Sequence, residues 1–212
     1  MTRHSKSNRR YLLIGAIVVF LIMTALVYFA YQTSQPPVNQ AVGKTVTFDF
    51  DIASPPLVQA QGTPFTQTSN DVTAYFSSIA DPAGFTVKSQ ESTSLKLSQF
   101  SGNYLVDINP SRDILDIKLD SPAVAANLTF ATVELQSDTI PIPSEILLTV
   151  YRDNTLVGST KAYGSFSSDS YPQGVLVFSP VKPFNWMRIS VPSQTGGTTD
   201  FLIDNILLTV IG

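Results

Sequence analysis

The 212-residue chain contains no cysteine and a single histidine, His4. Without cysteine there is no disulfide and no thiol chemistry, so any folded part must stand on its hydrophobic core. With its one imidazole at position 4, the remainder lacks Ser-His-Asp and Cys-His catalysis and His-ligated zinc. Charge is sparse and unevenly placed. Arg3, Lys6, Arg9 and Arg10 precede Tyr11 to Tyr31, 21 residues without a charged side chain, and all sixteen acidic residues lie after position 48. Beyond the basic tail only nine basic residues remain against those sixteen, a net charge of −7. Nucleic-acid binding needs a cationic surface to replace counterions, so this sign excludes it.

What the N-terminus does contain is a long apolar run. As a helix, 21 residues rise roughly 31 Å, about the thickness of a bilayer's hydrocarbon core. Lys and Arg are retained on the cytoplasmic side, so the N-terminus is expected inside and residues beyond about 35 outside. A cleaved signal peptide shares this charge order. Its apolar core usually runs only about 7 to 15 residues, however, and a cut after Ala30 would put Tyr28 where a small residue is needed. The expected organisation is a cytoplasmic tail (1–10), a transmembrane signal anchor (11–31), a Gln/Pro/Ser/Asn-rich stalk (32–43) and one folded domain (44–212). The protein is then a single-pass cell-membrane protein with an extracytoplasmic C-terminal domain.

Past the stalk the dominant pattern is period-two alternation. Val46, Phe48, Phe50 and Ile52 fall on one face of a strand, and Thr45, Thr47, Asp49 and Asp51 on the other. Similar runs follow at 72–76, 85–88, 94–97, 104–108, 114–119, 127–135, 146–151, 156–163, 175–178, 186–191 and 201–210. Turn formers such as Asp81-Pro82, Ser101-Gly102-Asn103 and Ser121-Pro122 separate them. Asp153-Asn154 reads as a tight hairpin, because both residue types tolerate positive φ. No sustained helical stripe appears after residue 43. About a dozen strands in one stretch predict an all-β fold, an antiparallel β-sandwich.

Three segments carry a resemblance. Val46-Thr-Phe-Asp-Phe-Asp51, Leu148-Thr-Val-Tyr-Arg-Asp-Asn-Thr-Leu-Val-Gly-Ser159 and Thr199-Asp-Phe-Leu-Ile-Asp-Asn-Ile-Leu-Leu-Thr209 resemble the opening strand, middle hairpin and closing strand of bacterial and archaeal exported jelly-roll domains. These are similar in layout to carbohydrate-binding modules. The resemblance implies a jelly-roll sandwich with first and last strands side by side, where acidic residues can hold a structural calcium.

Two constellations are candidates. Asp49, Asp51 and Asp204 could supply calcium's oxygen ligands; alternatively Asp204 caps backbone N–H groups or closes a bulge while the other two are solvated. Alternation places Asp204 on one strand face with Leu202, Ile206, Leu208 and Val210, although the opposite face is also apolar. Trp186 is the sole tryptophan, with Phe184 two residues earlier and so expected on its face. With Tyr163, Phe166 and Tyr171 it could form a shallow aromatic glycan site, the alternative being core packing. Pairs such as Asp113/Asp116 or Asp107/Glu134 keep a carboxylate-based glycoside hydrolase open. Asn127-Leu128-Thr129 matches a glycosylation sequon within an expected strand, a match that chance often produces. The leading expectation is a non-catalytic, membrane-anchored binding or scaffold module for a glycan, and the second a structural module docking an envelope protein.

Overall fold

The computed structural model describes residues 43–51, 57, 60–92, 94–107, 114–133, 144–165, 171–192 and 200–211. The basic tail, the apolar run 11–31, nearly all of the stalk, Phe166, Asp113 and Glu134 lie outside them. Among the described residues no helix is long and apolar enough to cross a membrane.

The described part is all-β and its named strands pair antiparallel: β1 (Lys44–Phe48), β2 (Phe65–Ser69), β3 (Val72–Ser78), β4 (Phe85–Ser89), β5 (Asn103–Asp107), β6 (Leu115–Val133), β7 (Ser144–Arg152), β8 (Thr155–Gly164), β9 (Gln173–Phe178), β10 (Phe184–Ser190) and β11 (Asp200–Val210). Hydrogen bonds join all eleven into one sheet. The long strand β6 divides that sheet in two. Its first half pairs with β3 and β10, giving the order β2-β3-β6-β10-β7-β8. Its second half pairs with β11 and β9, and the far side of β11 holds β1 and β5 end to end. The first strand thus lies beside the last.

Residues 114–119 and 127–135 read as separate strands around a Ser121-Pro122 turn, yet the chain runs through in one strand. The turn signal marks a corner instead. Proline has no N–H for a ladder, and between Lys118 and Ala123 the register against β10 jumps from Trp186 to Phe184. Pro122 still accepts a bond from the Ile211 N–H. The expected strand at 94–97 is absent. β2 was not expected; it pairs with β3 through Asn70-Asp71, where both residues have positive φ. Asp153 and Asn154 likewise both have positive φ, so that hairpin is a type I′ turn.

The two halves face each other across one core. Phe65, Val72, Ala74, Phe76, Ile117, Leu148, Val150, Met187 and Ile189 of the first half join Val46, Phe48, Val87, Leu128, Phe130, Phe201, Ile203, Ile206 and Leu208 of the second. Phe76 spans the gap, meeting Phe48 edge-on at 6.1 Å. Burying each such ring contributes about 1.5–3 kcal/mol. A second, smaller cluster of Leu97, Phe100, Tyr104, Ala131 and Leu202 lies apart from this core. Alternation puts Tyr104, Ala131 and Leu202 on the outer side of the second half, where the segment 95–101 covers them.

Candidate functional site

The outer face of the first half carries a row of large side chains. On β10 the exposure pattern shows Phe184, Met187 and Ile189 buried while Trp186, Arg188 and Ser190 are half-buried. Phe184 and Trp186 therefore do not share a face. The irregularity between them, at Asn185, breaks the period of two and turns the indole outward, so Trp186 is not a core aromatic. Register then aligns Trp186 with Lys118 of β6 on one side and Tyr151 of β7 on the other. Beyond Lys118 stands Tyr75 of β3, 42% exposed, and beyond Tyr151 stands Leu156 of β8, 61% exposed.

Within this row the Tyr151 and Trp186 rings lie 4.6 Å apart at 30°. The Lys118 ammonium sits 5.1 Å from the indole centroid and the Arg188 guanidinium 5.0 Å. Arg188 is fixed in place. It gives two parallel bonds to Asp116, Nε to Oδ1 at 2.9 Å and Nη2 to Oδ2 at 3.1 Å. The Asp116 carboxylate holds the guanidinium above its ordinary pKa against the opposing effect of burial, with Tyr151 adding to the rise. Lys118, by contrast, is exposed, its ammonium standing over the indole. The Trp186 Nε1–H is buried and has no hydrogen-bond partner among the described residues. Chemically the row offers aromatic surface and an exposed ammonium.

Tyr163 shares this face at its β8 end, aligned with Glu145. Lys161 lies 5.6 Å from the Tyr163 ring and bonds Glu145 at 3.0 Å. Burial pushes Glu145 up, but bonds from Tyr163 and Lys161 outweigh it and hold the carboxyl below its ordinary pKa. Tyr171 is elsewhere, packed on the smaller cluster with Phe100 and Tyr104. Of the four expected aromatics, Trp186 and Tyr163 share a face, Tyr171 does not, and Phe166 lies outside the described residues. Sequence reasoning missed Tyr75, Lys118, Tyr151 and Arg188. Parity marks each as outward on its own strand, but only the register lines them up.

The carboxylates occupy the other half. Asp204 is fully buried. Its Oδ1 accepts the Asn205 N–H at 2.8 Å; its Oδ2 accepts the Ser101 N–H at 3.0 Å and the Asn205 side-chain amide at 2.8 Å. Asn205 has positive φ and marks the bulge where β11 slips one residue against β6. That slip inverts the parity. Leu202 and Asp204 face the smaller cluster, whereas Phe201, Ile203, Ile206, Leu208 and Val210 face the main core. Asp204 therefore shares a face with Leu202 but not with Ile206, Leu208 or Val210.

Asp51 accepts the Asn103 N–H, Asp49 accepts the Asp51 N–H at 2.8 Å, and the Asn103 amide bonds the Phe50 carbonyl at 3.2 Å. Gly102, at φ 59°, lies against the Asp51 carboxylate so closely that a Cβ there would run into it. Burial raises Asp204 to about 6; bonds from Ser101 and Asn205 oppose the rise, and the charges of Asp49 and Asp51 add to it. Asp204 feels the charges of the other two acids, but oxygens of all three are turned to N–H donors. Among the described residues no group of three His, Cys, Asp or Glu side chains could hold a metal ion. Asp204 closes the bulge and tethers the segment 95–101 at Ser101.

No protein-family model matches the chain, and no curated protein is found to match it. Among solved structures it is similar to the K2 cleaved adhesin domain of Lys-gingipain, at 16% identity over 63% of this chain and 89% of that one, with a TM-score of 0.42. It is also similar to TmCBM61 in complex with β-1,4-galactotriose, at 14% identity over 63% and 88% of the two chains, TM-score 0.38. A third likeness is to the catalytic domain of a GH87 α-1,3-glucanase in complex with nigerose, at 14% identity and TM-score 0.33. That one covers 61% of this chain but only 28% of the other. At such identities and scores the likenesses name neither a family nor a ligand for this chain.

Proposed function

We propose that this chain is a membrane-anchored, extracytoplasmic binding module that holds a glycan along the Tyr75–Trp186–Tyr151 row of a jelly-roll-like sandwich. Residues 11–31 anchor it with the N-terminus in the cytoplasm, and 32–43 form the stalk. The observation that carries the glycan reading is the aromatic row on an outer sheet face. A saccharide presents apolar C–H faces that stack on aromatic rings and hydroxyls that accept hydrogen bonds. The exposed Lys118 ammonium is a donor for such hydroxyls. Lys118 is exposed, so in this reading its ammonium moves aside for a sugar ring while Arg188 stays in place.

The module is non-catalytic in this reading. Asp116, one of the acids open to a hydrolase role, is committed to Arg188 by two bonds, which leaves it a poor general acid or nucleophile.

A pull-down on a panel of immobilised polysaccharides tests the proposal. Tyr75→Ala is expected to weaken retention roughly tenfold, the loss of about 1.4 kcal/mol. Trp186→Ala is expected to weaken it at least as much. Retention unchanged in both variants, or no polysaccharide retained by the wild type, removes the row as a glycan site.

A further inference from the structure

The outer face of the second half holds the Asn127-Leu128-Thr129 segment, which fits Asn-X-Ser/Thr with X other than proline. A mid-strand position looks unsuited to glycosylation, yet three structural features favour it. The first is orientation. Leu128 enters the main core, so Asn127 and Thr129 both turn to the outer face, half-buried, with no side-chain hydrogen bond among the described residues. The second is setting. Register places Asn127 between Val177 of β9 and Leu207 of β11, which are 62% and 39% exposed, and Thr129 beside Val175, 48% exposed. Three apolar side chains standing in water around a sequon form a strip that a sugar chain could cover.

The third is the order of synthesis. The second half of β6 pairs only with β9 and β11, and both follow it in the chain. As the chain emerges, the sequon has no ladder partner until residues 173–178 are made. A transferase that needs an extended, unpaired acceptor meets one here.

We propose that Asn127 is N-glycosylated, its glycan lying over Val175, Val177 and Leu207. The inference rests on the export of the domain. The donor is an oligosaccharide linked to a lipid through phosphate or pyrophosphate. The Asn127 amide nitrogen attacks the anomeric carbon and a C–N bond forms. The anomeric C–O bond breaks, the lipid (pyro)phosphate leaves with the electron pair, and the amide proton passes to a base of the transferase. Nothing is oxidised or reduced.

The test is mass spectrometry of the full chain recovered from its native membrane, paired with protease accessibility of the domain on intact cells. The tryptic peptide carrying Asn127 is expected to gain the mass of one glycan. Asn127→Gln and Thr129→Ala should both lose that mass, and Thr129→Ser should keep it. An accessible domain with a fully unmodified Asn127 peptide overturns this proposal alone. An inaccessible domain with an unmodified peptide overturns it together with the export reading.

Discussion

The outer face of the first half and the part of the second half's outer face that lies under residues 95–101 are built from the same kind of strand and are finished in opposite ways. On the second half, the segment 95–101 lies over Tyr104, Ala131 and Leu202, and Asp204, on the same outer side as Leu202, holds it by the Ser101 N–H. On the first half, the residues at equivalent outward parity are Tyr75, Lys118, Trp186, Arg188 and Tyr151. There the polar groups bond within the sheet, as Arg188 does with Asp116. One face uses its carboxylate to close itself; the other spends its charges on keeping aromatic rings upright and reachable. A sheet face that is covered serves stability, and one that holds large side chains in water without a cover is available for recognition.

The largest expected effect breaks the cover. Tyr104→Ala removes a fully buried ring and should destabilise the domain by about 3–5 kcal/mol, measured by urea unfolding. A loss under about 1 kcal/mol would mean the second cluster is only loosely packed. Next is the pH response of Asp204. Its carboxyl titrates near 3.8 unfolded and about 6 folded, so the folded state keeps a proton that the unfolded state releases. Its stabilising contribution is full below 3.8 and is lost as pH rises through 6, a fall of about 3 kcal/mol. Asp204→Asn should flatten the stability profile between pH 4 and 6. An unchanged slope would remove Asp204 as its source. Calcium raising the Tm of the wild type but not of Asp204→Asn would assign the three acids to a metal instead. Smallest is Tyr75→Ala on the open face, expected to shift stability by no more than about 0.5 kcal/mol. A loss above about 2 kcal/mol would make the aromatic row structural and erase the contrast between the faces.

Much of the architecture was legible in the sequence because alternation, turn chemistry and composition are local properties. Asp153-Asn154 announces its hairpin, and the β1 alternation places Val46, Phe48 and Phe50 in the core. The reading failed where the strand register slips. At Asn205 and near Asn185 the period of two slips, and every side chain beyond the slip changes face. A bulge leaves no pattern of its own, since both faces of β11 are apolar around Asp204. Ser121-Pro122 reads as a turn because proline breaks a ladder, yet here it bends a strand from one half of the sheet to the other.

The candidate site was less legible than the fold. Trp186 could be singled out by its rarity, but its neighbours Tyr75, Lys118 and Tyr151 lie 35 or more positions away in the chain. Composition and patterning by themselves determined an all-β domain behind a basic-then-apolar N-terminus, without thiol or imidazole chemistry. The tertiary structure decided which face each aromatic and carboxylate occupies. Strand register and bulges are set by the packing of distant segments against one core, and no local window of sequence contains that information.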